Sequence, residues 1–536
     1  MKSLLIVLLY FPVLGFSQQQ QNLSIDDFDI KHYTFALELN DSTDSISGKA
    51  TVSVLFKKAR TDFSLDLSSQ NKEGKGMHVS QVSLNGKSLS FEHIHDRLTI
   101  ALNTPAAPNE KLSFEIYYKG IPQDGLIIEK NKYNDRTFFG ENWPNNAHHW
   151  LPTIDHPSDK AGVDFIVIAP PYYEVIGNGV KLEESMLNAH QKLTHWHEVV
   201  DIPTKVMVIG VARFAVQHAG YVNTIAVESW VYPQNRLEGF SDYAIATKVL
   251  DFFNSHFGPY AYKKLANVQS KTRYGGTENA SNIFYYENSV TGKGGIESLV
   301  AHEVAHQWFG NSASEKDWHH VWLSEGFATY CTHLYNEFTY GRDRRAGDME
   351  ADREDVLKFF KKSPQPIVFK DLPKNLVHIL NDNSYQKGGW VLHMLRQELG
   401  DQPFWAGLRE YYRRYQNSNA STGDFQTVME EVSGKDLDQF FQQWLYRAGH
   451  PVIEGFWSYD SKTKTVNISI TQNQKNQLFD FPLELGFEIP NQVLSRVEEV
   501  RINKESQKFS FTVDTKPTRI ALDPNTNLLF EGKMKN

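Results

Sequence analysis

The sequence predicts a multidomain α+β protein, on three observations. Apolar and polar residues alternate with the period of strands from about residue 22 to 230. The period then lengthens to that of amphipathic helices until about residue 450. Beyond Gly449-His450-Pro451 strand-like runs return. A chain of 536 residues is also too long for one core. The expected order is an N-terminal antiparallel β domain (22–230), a mostly helical central domain (231–450) and a small C-terminal β-sandwich domain (451–536).

The elements follow in order. Lys2, an apolar run from Leu4 to Leu14 and Gly15-Phe16-Ser17 read as a signal peptide, residues 1–17, cleaved after Ser17. The run is shorter than the roughly 20 residues a spanning helix needs. The mature protein is therefore expected to be exported, periplasmic or secreted, with no stable membrane anchor. Tyr33, Phe35, Leu37 and Leu39 alternate with polar residues, as do Ala50, Val52, Val54 and Phe56. Asn85-Gly86 between two short apolar runs predicts a tight hairpin. LEGFSDYAIATKVLDFFNSHFG predicts a helix ending at Gly258-Pro259. Helical patterns follow at 296–309, 322–338, 385–399, 403–416, 422–432 and 437–446. VNISITQ, LELGFEIP, SRVEEVRI and KFSFTVD then read as strands.

Composition narrows the function. The net charge is −9, with no Lys/Arg block, so no nucleic-acid partner is expected. Cys331 is the one cysteine; it lies in an apolar helical pattern and reads as a small buried hydrophobe, so no internal disulfide is expected.

The chemistry lies in AHEVAHQWFGN. His302 and His306, four residues apart, share one helix face and can grip one ion. After eighteen residues Glu325 follows on a second helical pattern, WLSEGFATY. Two imidazoles and a carboxylate make a His₂Glu set suited to one Zn²⁺ per chain, with a position left open. Glu303 flanks the histidines and is placed to act as a base toward water on the metal.

With Glu325 placed, the chain resembles the zinc aminopeptidases of the aminopeptidase N type, which include leukotriene-hydrolase-like enzymes. HEVAHQWFGN and WLSEGFATY carry the likeness. Gly275-Gly276-Thr277-Glu278-Asn279 matches the Gly-x-Met-Glu-Asn signature, SYQKGGWVLHML the Tyr-x-Lys-Gly segment and QQWLYRAGHP the Trp-x4-Gly-x-Pro segment. WLPTIDHPSDKA is similar to a turn of the family's N-terminal domain. The resemblance implies a thermolysin-like catalytic domain and peptide substrates with a free N-terminus. It implies that Gly275, Gly276, Thr277, Glu278 and Asn279 line the cleft as an edge strand. Glu278 then holds the substrate α-ammonium, Asn279 orients that segment and Tyr385 donates to the oxyanion.

Departures from the pattern carry their own expectations. Thr277 stands where the family has Met, so the substrate side-chain pocket should be more polar. Glu141 in FFGENWP is the candidate for a second amine-binding group. The chain ends soon after the small β domain, so the family's C-terminal helical domain is not expected. Two other readings stay open: a zinc endopeptidase, and a catalytically silent peptide-binding protein on the same fold. The pairs His148-His149 and His319-His320 read as surface or structural.

Overall fold

The structure is a computed structural model describing residues 27–475, 477–490 and 496–536. The expected signal peptide lies outside the described residues.

The alternating runs of the N-terminal region build an eight-stranded sheet. Its order is Val180–Asn188, Gln191–Pro203, Lys160–Ala169, Phe28–Glu38, Ile46–Phe56, Lys111–Ile121, Gly76–Leu84, Lys87–Ser88. All neighbours are antiparallel except Phe28–Glu38 and Lys160–Ala169. One face is apolar: Tyr33, Phe35, Leu37, Ala50, Val52, Val54 and Phe56 are all buried, as their period of two requires. The Asn85-Gly86 hairpin forms, with both residues at positive φ (52° and 74°), the backbone that a two-residue turn between twisted strands needs.

The central domain contains a second sheet, ordered Ala215–Val222, Ile225–Val231, Lys264–Ser270, Asn282–Tyr286, Gly276–Thr277. Its first two strands fall inside the region expected to belong to the N-terminal domain. They pair with Lys264–Ser270 instead, so the boundary lies near residue 213, not 230. Lys264–Ser270 is buried at every residue, as a central strand between parallel neighbours should be. Gly276–Thr277 is the edge.

The helices that frame the site are Glu297–Ala305, Trp322–Tyr340 and Gly388–Leu399. The expected helix before Gly258 forms as two, Arg236–Tyr243 and Ala246–Phe257. A helix absent from the sequence reading, Arg342–Lys362, buries Arg345, Met349 and Val356 along 21 residues. The C-terminal domain is a sandwich of four strands (Ser506–Thr512, Thr465–Gln472, Val452–Asp460, Glu531–Lys535) and three (Arg496–Ile502, Phe481–Glu488, Arg519–Leu522). Cys331 is buried, and burial pushes its thiol well up.

Buried charges join the domains. Lys160 of the N-terminal sheet donates to the carbonyls of Asn311 and Ser312, at 3.1 and 2.7 Å, and burial lowers its pKa to about 7. Lys205 makes a buried ion pair with Glu315 at 2.6 Å. Both lysines hold the chain segment that leaves the His302–His306 turn.

Candidate metal centre and substrate cleft

The Glu297–Ala305 helix buries Val300, Ala301, Val304 and Ala305, and has Glu297 in its first turn. It stops one residue before His306. His306 nonetheless keeps helical dihedrals, and its N–H bonds the His302 carbonyl at 3.3 Å, so the two rings share a face. Glu325, in the first turn of Trp322–Tyr340, meets them. Nε2 of His306 lies 3.1 Å from Nε2 of His302 and 3.2 Å from Oε2 of Glu325; the third side of the triangle is 3.6 Å.

These three groups fit a metal ion, and their own chemistry says so. Nδ1 of His306 lies 3.2 Å from the Phe309 carbonyl, which can only accept. Nδ1 therefore carries the proton, and Nε2 turns its lone pair toward a carboxylate and another imidazole. Such a cluster needs a positive charge at its centre. Burial opposes charge on His306, but Glu325, Glu278 and Glu303 outweigh it and raise its pKa to about 9. Burial likewise opposes charge on Glu325, yet the histidines hold its carboxyl far below the usual range. A divalent ion satisfies the same demand with a suitable donor set.

Glu303 is buried beside this triangle. Burial raises its pKa well above normal, the Glu278 and Glu325 charges add to the rise, and His306 opposes it. Its carboxylate rests on Gly276: a Cβ at that position would lie 2.5 Å from Cδ of Glu303. The second glycine of the pair is thus required by the Glu303 carboxylate behind the edge strand. Gly275 is less crowded, with Leu299 Cδ1 3.8 Å from its would-be Cβ.

Glu278 is the side chain that the edge strand delivers to the centre. Ligand atoms of Glu278, Glu303 and His306 all lie within 4.8 Å of one another. Its carbonyl is clamped by Nε2 of Gln307 at 2.8 Å and Nδ2 of Asn311 at 2.6 Å. Oε1 of Gln307 also accepts from the Ser281 N–H at 2.9 Å. The residues just after His306 therefore fix the segment that carries Glu278.

Two expectations about this region are corrected, those for Asn279 and Thr277, and Glu141 is placed beside them. Asn279 is fully buried and its side-chain amide has no hydrogen-bond partner, so it neither lines the cleft nor orients Glu278; Gln307 and Asn311 do that work. Thr277 is buried and its hydroxyl bonds that of Thr272 at 2.8 Å, so it does not make a polar substrate pocket. Glu141 accepts from the Arg273 N–H at 2.8 Å and holds the base of the glycine loop. Trp143, two residues on, is what reaches Glu278, by donating its indole N–H to Oε1. Its ring lies over Lys205, 4.4 Å from the ammonium, and packs on Trp318.

Tyr385 sits in a wide helical turn, Asn383–Lys387, that feeds Gly388–Leu399. Its ring stacks on His302 at 5.9 Å and 14°. Burial, then the charges of Glu325, Glu278 and Glu303, raise its pKa far above normal, so the hydroxyl stays a donor. What brings it here is a helix crossing of backbone on backbone: a Cβ on Gly326 would lie 2.8 Å from the Cα of Gly388. The paired histidines outside the site are structural as expected, His148 bonding Asp155 and His320 bonding Thr422.

Two family models match the chain. The Peptidase M1 N-terminal domain matches residues 30–206 and the Peptidase family M1 domain residues 242–444, together well over half of the chain. The chain belongs to peptidase family M1. Every member of the metal triangle, with Glu278, Glu303 and Tyr385, falls within the second match. Named relatives include leucyl aminopeptidase of Saccharolobus solfataricus, 24% identical over 86% of this chain and 60% of its own length. Glutamyl aminopeptidase of Mus musculus is 25% identical over 58% of this chain and 34% of its own. Aminopeptidase M1-B of Oryza sativa is 28% identical over 58% and 37%. The chain spans between about a third and three fifths of the length of these curated relatives. No helix among the described residues is long and apolar enough to cross a membrane.

Gln307, Asn311 and Trp143 are the site residues that the sequence reading missed. Gln307 and Asn311 lie inside the quoted HEVAHQWFGN run, and most buried amides and indoles find a partner. That was the available signal.

Proposed function

We propose that this M1 family member is a zinc aminopeptidase that removes the first residue from peptides with a free N-terminus. The observation that carries the reading is the position of Glu278, a buried carboxylate on a sheet edge beside Glu303 and the metal triangle.

His302, His306 and Glu325 would hold the ion, one per chain in this centre. When bound, a divalent cation acts as a Lewis acid, acidifying water and polarising a carbonyl. The protein's own groups do the rest. The edge strand Gly276–Thr277 offers its free backbone to an extended peptide. Glu278, fixed by Trp143, Gln307 and Asn311, binds the α-ammonium and so sets which peptide bond reaches Glu303. A carboxylate of Glu303 takes a proton from water and delivers it to the departing amine nitrogen. The Tyr385 hydroxyl donates to the oxygen that gains charge.

A short leucyl peptide, free and N-acetylated, tests this. The free peptide should lose single residues from its N-terminus, and the acetylated one should be inert. Glu278→Gln should raise KM for the free peptide by about 10- to 100-fold, the worth of one charge-assisted hydrogen bond. Equal turnover of both peptides, or cuts inside the chain, would sink the reading.

We also infer export, supported by the Lys2–Ser17 segment. Protein recovered from the periplasm or medium of producing cells should begin at Gln18. A chain that starts at Met1 and stays in the cytosolic fraction would count against it.

A further inference from the structure

We propose a second metal site, on the polar face of the N-terminal sheet, formed by His32, Asp164 and His197 with His195 behind them, for a divalent ion such as Zn²⁺. It shares no residue with the M1 centre and does not depend on the peptidase reading.

The site is built by register. Lys160–Ala169 runs between Phe28–Glu38 and Gln191–Pro203. Asp164 on the middle strand faces His197 directly across one ladder, and His195 sits two residues along, opposite Ile166. On the other ladder His32 faces Gly162. That glycine is what lets His32 lean toward Asp164, since a Cβ there would stand 2.7 Å from Nδ1 of His32. Irregularities flank the cluster, between Ile30 and His32 where Phe28–Glu38 pairs with Ile46–Phe56 and between Ala161 and Val163 where Lys160–Ala169 pairs with Gln191–Pro203; such bulges re-aim side chains.

The donors converge on one carboxylate. Nε2 of His32 lies 2.5 Å from Oδ2 of Asp164, while Nε2 of His195 and Nδ1 of His197 lie 2.6 and 2.9 Å from Oδ1. The ligand atoms of His32, Asp164 and His197 are all within 4.8 Å of one another. The rings of His32 and His197 face each other at 5.9 Å. Three imidazoles for one acid exceed what a lone carboxylate needs as a hydrogen-bond acceptor. They are the borderline nitrogen donors that Zn²⁺ prefers, with a carboxylate to offset its charge.

Seating an ion asks little of the fold. Tetrahedral donors around zinc stand about 3.3 Å apart, so the His–Asp contacts need to open by less than about 1 Å through side-chain rotation. Each imidazole that binds turns an unprotonated nitrogen to the ion. All four side chains are partly exposed, from 14% for Asp164 to 30% for His32, which leaves solvent room for a water ligand. The ion would tie Phe28–Glu38 to Gln191–Pro203 across the strand between them. A chain with one cysteine has no disulfide to do so.

Zinc counting on the full chain tests this. Protein stripped with a chelator, reloaded with ZnCl₂ and gel-filtered should hold about two ions per chain. His302→Ala/His306→Ala should keep about one, and so should His32→Ala/His197→Ala, the latter with unchanged peptidase activity. Zinc should raise Tm of the His302→Ala/His306→Ala protein, and Asp164→Asn on that background should abolish the rise. Co²⁺ added to the same protein should give the intense visible bands of a four- or five-coordinate site, a readout that needs no variant in the sheet to fold. No ion in His302→Ala/His306→Ala, or the pale spectrum of aqueous Co²⁺ there, would overturn the proposal. So would a full complement in His32→Ala/His197→Ala.

Discussion

Glu303→Gln should lower kcat by about 10²- to 10⁴-fold and leave the metal content unchanged, the range expected for one general base. The substitution is nearly isosteric. It keeps the contact with Gly276 and removes only the capacity to take a proton. On the proposed reading KM should move little, because Glu278 and the edge strand would bind the peptide without Glu303. Metal analysis and peptide turnover on the same sample decide the matter. Activity within tenfold of the unsubstituted protein would mean that another group takes the proton. Loss of metal together with activity would mean that Glu303 helps hold the ion.

Gly388→Ala should harm stability and catalysis together. The added Cβ would lie 2.9 Å from the Cα of Gly326, and backbone cannot rotate away as a side chain can. Overpacking of this kind costs about 1–3 kcal/mol, enough to lower Tm by several degrees. The helix carrying Glu325 and the turn carrying Tyr385 must then separate. Losing one oxyanion donor costs about 10²- to 10³-fold in kcat. Tyr385→Phe is the control: it should show the same fall in kcat with Tm unchanged. A Gly388→Ala protein with the original Tm and kcat would show that the two helices have slack between them.

The cluster of His302, His306 and Glu325 was legible because its information is local. Four residues along a helix, a base between them and a carboxylate on the next helix form a pattern that needs no knowledge of the remaining chain. The Asn85-Gly86 turn was legible for the same reason. What the sequence concealed depends on contacts far apart along it. Trp143 and Glu141 differ by two positions, and only the packing of the N-terminal domain on the Gly275–Glu278 loop, more than 130 residues away, decides which one touches Glu278. Thr277 and Asn279 face inward because of how a two-residue edge strand pairs, and so short a run has no period to read. Arg342–Lys362 escaped because so little of its surface is buried that no apolar stripe marks it. The strands Ala215–Val222 and Ile225–Val231 look like those before them, and their partners come later in the chain.

The clamp formed by Gln307 has a consequence for selectivity. Glu303, His306 and Gln307 belong to one turn of chain, and Gln307 grips the backbone on both sides of Asn279. The point that receives an amine and the point where a carbonyl must lie are therefore set by a single rigid piece. On the proposed reading the site would act as a gauge of main-chain length, with one allowed setting. A first residue with one more methylene between its nitrogen and its carbonyl misses that setting, whichever side chain it carries. An ordinary residue meets it with almost any side chain that the neighbouring walls admit.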